Sequence, residues 1–452
     1  MDQAELLIVN GRIITWGQPN ELIEDGAILV QNGRIVAIGS SADLSAQYKT
    51  ASILDARGQL VMPGNICAHT HFYGAFARGL AIPGPAPKDF PDILERLWWR
   101  LDRALLDIDV KYSALVCLVD AIKHGTTTLI DHHASPTHID TSLDQIADAV
   151  EQAGVRAVLC YEVSDRNGRE QAQEAISENV RFLHAVQERE TDLLRATFGL
   201  HASLSLSDET LADCVAAAQS LNTGFHIHAA EHEADEYDAL YQYQKRVIPR
   251  LHEAGILGPQ TIVAHGVHFD PAEMLLLRES GSWLTHQPRS NMNNAVGAAD
   301  VEGMLRLGIP VCLGNDGFSN NMWAEWKAAY LLHKVVHRDP RRANGMDVVQ
   351  MAIYNNAALA RTFWPDLPIG ELCEGGAADI IFVDYQPITP LTAGNLPWHI
   401  LFGFESSMVT TTISNGRILM QDRQLLTLDE AAITARSREL AAQVWTRFET
   451  LS

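Results

Sequence analysis

Apolar and polar positions change rhythm twice along this chain. Over residues 1–58, short apolar, β-branched runs alternate with turn signals. Leu6-Leu7-Ile8-Val9 runs into Asn10-Gly11 and then Arg12-Ile13-Ile14, and Ala27-Ile28-Leu29-Val30 runs into Asn32-Gly33 and then Arg34-Ile35-Val36. Asn-Gly tolerates the positive φ angles of a tight turn, so each pair predicts a hairpin. From 59 to 368 the pattern becomes strand followed by helix, repeated. Apolar runs at 59–66, 126–130, 155–162, 194–200, 224–227, 261–264, 282–285 and 309–313 are separated by helical patterns. Eight such units is the number that closes a parallel (β/α)8 TIM-like barrel. Beyond 368 the strand texture returns at 378–384 and at 409–420, the latter broken by Asn415-Gly416, before an amphipathic helix from Leu428 to about Glu449. The expected fold class is α/β: a barrel over 59–368, with a small β-sandwich domain built from both chain ends, 1–58 and 369–452. A doubly wound open sheet competes with it, but no Gly-x-Gly-x-x-Gly turn follows the early strands.

Composition narrows the partners. With 56 acidic and 34 basic residues the 452-residue chain carries a formal charge of −22. Such a surface repels phosphates, which excludes nucleic acid and anionic membrane as expected partners. The six cysteines are dispersed without a Cys-x-x-Cys pair, as in a reduced compartment. The start, Met1 to Glu5, is acidic and lacks a signal-peptide pattern, so a cytoplasmic protein is expected.

Candidate chemistry lies where the predicted strands end, because in a barrel those ends share one cavity. The first strand ends in His69-Thr70-His71; side chains two apart in an extended backbone point the same way, so both imidazoles reach one point. The second ends in Asp131-His132-His133, the fourth in His201, and the fifth in His228 with Glu231 three residues on. The sixth ends in His265, the seventh in His286 and the eighth in Asn315-Asp316. A catalytic metal wants a few firm ligands and an open position for water. His69, His71, His228 and Asp316 supply three imidazoles and a carboxylate, and Asp316 can also take a proton from the water. Glu231 is placed to carry a proton to a substrate, and His265 to orient the water or to bind as a further ligand. No lysine stands at the end of the fourth strand, where a two-metal hydrolase of this type would need a bridging group, so one metal is expected. Trp98, Trp99, Phe90 and Phe72 offer a stacking wall for a flat heterocycle, or simple packing.

His69-x-His71, His228-x-x-Glu231, His265 and Asp316 together resemble the amidohydrolase superfamily, in its single-metal deaminase and chlorohydrolase branch. The segments Leu97-Trp98-Trp99-Arg100-Leu101-Asp102-Arg103, Asp131-His132-His133-Ala134-Ser135-Pro136 and Arg289-Ser290-Asn291-Met292-Asn293-Asn294 resemble the SsnA-type aminohydrolases. The resemblance implies that His69, His71, His228 and Asp316 hold one divalent ion, zinc or iron. It makes Glu231 the proton shuttle, His265 the partner of the attacking water, and His201 and Asn291 substrate contacts beside Trp98. It also implies a homo-oligomer and a small heterocyclic substrate. After His201 the chain reads Ala202-Ser203-Leu204 where relatives often have Ala-Pro and an aromatic residue, and Asn315 stands where Thr is frequent; both departures fall beside the substrate. The expected reaction is deamination of a cyclic amidine such as an aminopurine or pterin. Alternatives are loss of chloride or an amine from a triazine-like ring, opening of a cyclic amide, or a non-catalytic metal-binding barrel.

Overall fold

The computed structural model describes residues 6–49 and 51–451; the acidic start at 1–5 lies outside them. The strands predicted for the middle of the chain are present and parallel: Asn65–Thr70, Thr126–Asp131, Arg156–Leu159, Leu194–Ala196 continued by Phe198–Ala202, Phe225–Ala229, Ile262–His265, Trp283–His286 and Val311–Leu313. Each pairs with the next. Leu194–Ala196 pairs with Arg156–Leu159, and Phe198–Ala202 with Phe225–Ala229, so one strand broken at Thr197 hands the pairing on. The last strand returns to the first just past their ends: Thr70 bridges Asp316, and the amides of Asn315 and Asp316 both donate to His69 O at 3.0 and 3.1 Å. Gly314 permits this approach, since a Cβ there would sit 2.7 Å from His69 O. Below the seam, buried Asn356 donates from Nδ2 to Ile66 O and Leu313 O and accepts from Leu313 N. Strand residues are buried on both faces, which is why these runs read as continuous apolar stretches.

The run at 59–66 proves to be two strands. Leu60–Pro63 pairs with Ile380–Val383 in a different sheet, and Asn65–Thr70 begins the parallel series. Between them stands Gly64, where a Cβ would lie 2.2 Å from Thr127 Oγ1. The chain thus steps from one sheet to the other through a gap that only glycine fits.

Both chain ends meet in one hydrogen-bonded sheet of nine strands. The hairpins at Asn32-Gly33 and Asn415-Gly416 form. The one expected at Asn10-Gly11 does not. Leu6–Ile14 runs through it as a single strand, with Asn10 at φ 55° and a register shift against its neighbour. This bulge re-aims the strand: Leu6 to Val9 pair with residues 52–55, whereas Arg12 and Ile13 pair with Leu60 and Val61. One strand therefore serves two neighbours and keeps in one sheet what a hairpin would have divided.

The terminal helix, Glu430–Thr450, buries Ile433, Leu440, Val444 and Phe448 along one stripe. It packs on the helices Trp99–Ala104 and Asp107–Lys123, and Arg100 Nε donates to Phe448 O at 2.6 Å. It braces the segment that carries Trp98 and Trp99. Among the described residues no helix is long and apolar enough to cross a membrane.

Candidate active site

Three imidazoles converge past the strand ends, each held from behind. His71 Nδ1 donates to His132 O at 2.6 Å, and His228 Nδ1 donates to His201 O at 2.8 Å. A carbonyl can only accept, so both rings carry the proton on Nδ1 and a bare lone pair on Nε2. Those lone pairs face each other, with His71 Nε2 3.2 Å from His228 Nε2. Asp316 Oδ1 lies 2.9 Å from His71 Nε2 and 3.4 Å from His69 Nε2, and His69 Nε2 is buried without a hydrogen-bond partner. His69 Nδ1 in turn lies 2.9 Å from His226 Nε2.

Electrostatics point the same way. Burial opposes charge on every ring and takes His69 down to about 3. Burial opposes it on His71 as well, yet hydrogen bonding to Asp316 and the charges of Asp316 and Glu162 hold that ring up at about 9. Burial would raise Asp316, but hydrogen bonds from His69 and His71 carry it well below the usual carboxylate range. The cluster thus demands positive charge at its centre. A proton on His71 meets part of that demand; a divalent cation also engages the lone pairs of His69 and His228. The ligand atoms of His69, His228, His265 and Asp316 lie within 4.8 Å of one another, as do those of His69, His71, His132 and His228, and a set of three nitrogens and an oxygen fits a single divalent ion.

Beside this cluster, Glu231 Oε2 lies 3.4 Å from His265 Nε2, and Glu231 Oε1 accepts from Asn294 Nδ2 at 3.2 Å. Burial raises the Glu231 carboxyl to about 7. Ser290 Oγ donates to Asp316 Oδ2 at 2.5 Å, and Asn294 Nδ2 reaches Ser290 Oγ at 3.3 Å, which links both carboxylates through one helix. His265 and Asp316 hold left-handed backbone, φ 79° and 56°, a strain that non-glycine residues keep where the surroundings fix it. Asp235 pins the flanking loops by accepting from Ala230 N and Leu204 N, both at 2.8 Å.

A cavity opens onto the cluster. Phe90, Leu94, Trp98 and Trp99 form its apolar wall, while His201, Glu162 and Glu231 line it on the polar side. Trp98 thus lines the cavity, whereas Phe72, expected with it, is fully buried in the core. Asn291, expected at the substrate, is turned elsewhere. It is fully buried, with Oδ1 accepting from His265 Nδ1 at 2.9 Å, and Asn294, about one helical turn later, lines the cavity instead. Three residues escaped the sequence reading. Glu162 was absorbed into the third strand, His226 was hidden inside the fifth, and Asp235 sits on a helix of ordinary acidic texture.

A family model described as the amidohydrolase family matches residues 60–419. The chain belongs to the amidohydrolase family. This amidohydrolase is 32% identical over 448 residues to a 5'-deoxyadenosine deaminase of Methanosarcina mazei, covering 98% of this chain and 99% of the relative. It is 31% identical over 448 residues to a 5-methylthioadenosine/S-adenosylhomocysteine deaminase of Syntrophobacter fumaroxidans, with 98% and 99% covered. Among solved structures, an adenosine deaminase from Xanthomonas campestris with bound zinc aligns at TM-score 0.85 and 24% identity, covering 98% of this chain and 99% of that one. Atrazine chlorohydrolase from Arthrobacter aurescens TC1 complexed with zinc aligns at 0.80 and 22%, covering 96% and 100%. Family and relatives make the chain a hydrolase of carbon–nitrogen bonds other than peptide bonds.

Proposed function

We propose that this amidohydrolase deaminates an adenine-like cyclic amidine, an aminopurine, pterin or related heterocycle, releasing ammonia, and that its eight parallel strands close as a (β/α)8 barrel around one zinc ion. The observation that carries the reading is Glu231: a carboxyl raised to about 7, at the edge of a lone-pair cluster and facing a cavity with a tryptophan wall. His69, His71, His228 and Asp316 would hold the ion, which when bound supplies Lewis acidity and a water activated near neutral pH.

The chain's own groups do the rest. Asp316, kept ionised by its histidine neighbours, accepts the proton of the attacking water. Glu231, neutral for part of the time at pH 7, delivers the proton of its carboxyl to the ring nitrogen; of the two protons of the water, one passes by way of Asp316 to the leaving amine and the other returns to Glu231. His265, oriented by Asn291, presents Nε2 as an acceptor for a hydrogen of the attacking water. Trp98 and Trp99 hold the ring flat and keep water from the apolar side. The names of the relatives at 32% and 31% identity support an adenine-like amidine as substrate.

The test is release of ammonia, against release of chloride, by zinc-replete protein across aminopurines, pterins and chlorotriazines. Ammonia that disappears in Glu231→Gln is the expected result. Chloride without ammonia would replace the reaction by dechlorination, and neither product across the panel would refute it.

A further inference from the structure

We propose that Asn294 is the positioning residue of the proton shuttle: its amide, turned through Ser290 by Asp316, holds one oxygen of Glu231 and leaves the other to deliver the proton. The inference rests on the deaminase reading and deepens it to the residue that aims its acid.

The chain of orientation starts at Asp316. An ionised carboxylate can only accept, so the Ser290 hydroxyl donates to Asp316 Oδ2 at 2.5 Å. What remains on Ser290 Oγ is a lone pair, and Asn294 meets it at 3.3 Å. Only the amide nitrogen can serve there, which fixes the amide: Nδ2 faces Ser290, and Oδ1 accepts from Asn293 Nδ2 at 3.1 Å. The second hydrogen of Nδ2 goes to Glu231 Oε1 at 3.2 Å. A carboxyl accepts this bond whether neutral or ionised, so the arrangement does not depend on the charge of Glu231. When Glu231 holds a proton, Oε1 is its carbonyl oxygen, and Oε2, 3.4 Å from His265 Nε2, carries the hydrogen.

The helix that carries both residues is held in register with this line. Ser290 and Asn294 stand four apart and share a face, with 3% and 8% exposure. Arg289 ties the helix Pro288–Asn293 to the segment beyond Asp316: Nε donates to buried Glu325 Oε1 at 2.5 Å, and Nη2 donates to Ser319 O at 2.7 Å. Helix capping does not account for Asn294. The next residue, Ala295, takes the left-handed conformation at φ 54°, and its amide donates to Met292 O at 3.2 Å, so backbone alone ends the helix. The Asn294 side chain lines the cavity instead, and both hydrogens of its amide go to groups that lead to the two carboxyls. Without that amide the Glu231 carboxyl is free to turn about its last bond, and its proton leaves the line to the ring.

The experiment measures ammonia release by zinc-loaded protein from an aminopurine. Asn294→Leu removes the amide at similar volume and should lower kcat about 10- to 100-fold, with KM and bound zinc within about threefold of wild type. The deciding readout is a double-mutant cycle. Glu231→Asp withdraws the carboxyl by one methylene, out of reach of Asn294, so adding Asn294→Leu to it should cost no more than about twofold. Equal fold losses in both backgrounds would make Asn294 a part of the cavity wall and overturn the inference, as would a wild-type kcat in Asn294→Leu or a change confined to KM. Each of those outcomes leaves the deaminase reading intact, whereas no ammonia from wild type on any aminopurine or pterin would overturn both. Asn294→Ser, whose hydroxyl is too short to span Ser290 and Glu231, gives the same comparison should Asn294→Leu not fold.

Discussion

His226 makes no contact with the cavity, yet the geometry makes metal affinity depend on it. Its ring is fully buried, stacks on His132 at 4.2 Å between centroids with a 6° interplanar angle, and sets Nε2 2.9 Å from His69 Nδ1. For His69 to offer Nε2 to a cation, its proton must sit on Nδ1, and His226 Nε2 must accept it. The His226 proton then lies on Nδ1, toward Cys160 Sγ at 3.9 Å. His226→Leu removes the acceptor. His69 must then either bury an unpaired Nδ1–H, worth about 1–3 kcal/mol, or move its proton to Nε2 and cease to be a ligand. Partners of this kind typically change metal affinity by about 10–100-fold, or about 1.4–2.7 kcal/mol. Zinc affinity measured by competition with a chromophoric chelator should fall in that range for His226→Leu and within about threefold of wild type for His226→Gln, whose carbonyl can still accept. A folded His226→Leu protein that binds zinc as tightly as wild type would refute the tautomer argument.

Other consequences are nearer the chemistry. As the proposed acid Glu231 would act through its neutral form, which is depleted as pH rises through about 7, so kcat/KM should fall on the alkaline side; a profile flat from about pH 6 to about pH 9 would remove Glu231 as the acid. Asn291→Ala should lower kcat about tenfold with KM nearly unchanged, because Asn291 touches His265 and not the cavity; a change confined to KM would restore it as a substrate contact. Asn356→Ala strips three hydrogen bonds from the seam between the first and last parallel strands and should cost about 2–4 kcal/mol in denaturant unfolding, which an unchanged midpoint would contradict.

The parallel strands were legible because strands buried on both faces leave long apolar runs, and the candidate ligands because chemistry-bearing residues follow those runs directly. What the sequence hid is instructive at particular residues. Asn10-Gly11 has the composition of a hairpin turn, but Gly11 sits where a Cβ would lie 2.7 Å from Val61 Cγ2, so close packing and a bulge use the same pair that a turn would. Gly64 separates two sheets within one uninterrupted apolar run. Asn291 and Asn294 lie about one helical turn apart in a polar segment; only the packing of the Pro288–Asn293 helix decides which faces His265 and which the cavity. Glu162 and His226 lie within strand runs, where a polar residue looks like an exception to a pattern until its neighbours in space are known.

In the proposed reaction one cation held by His69, His71, His228 and Asp316 works with Glu231 to expel ammonia. The most direct measurement is ammonia released from an aminopurine as zinc is titrated into metal-stripped protein. No ammonia is expected without zinc, and the rate should rise linearly to a plateau at about one zinc per chain. Ammonia released at full rate by stripped protein, or none from the fully loaded one, would contradict it.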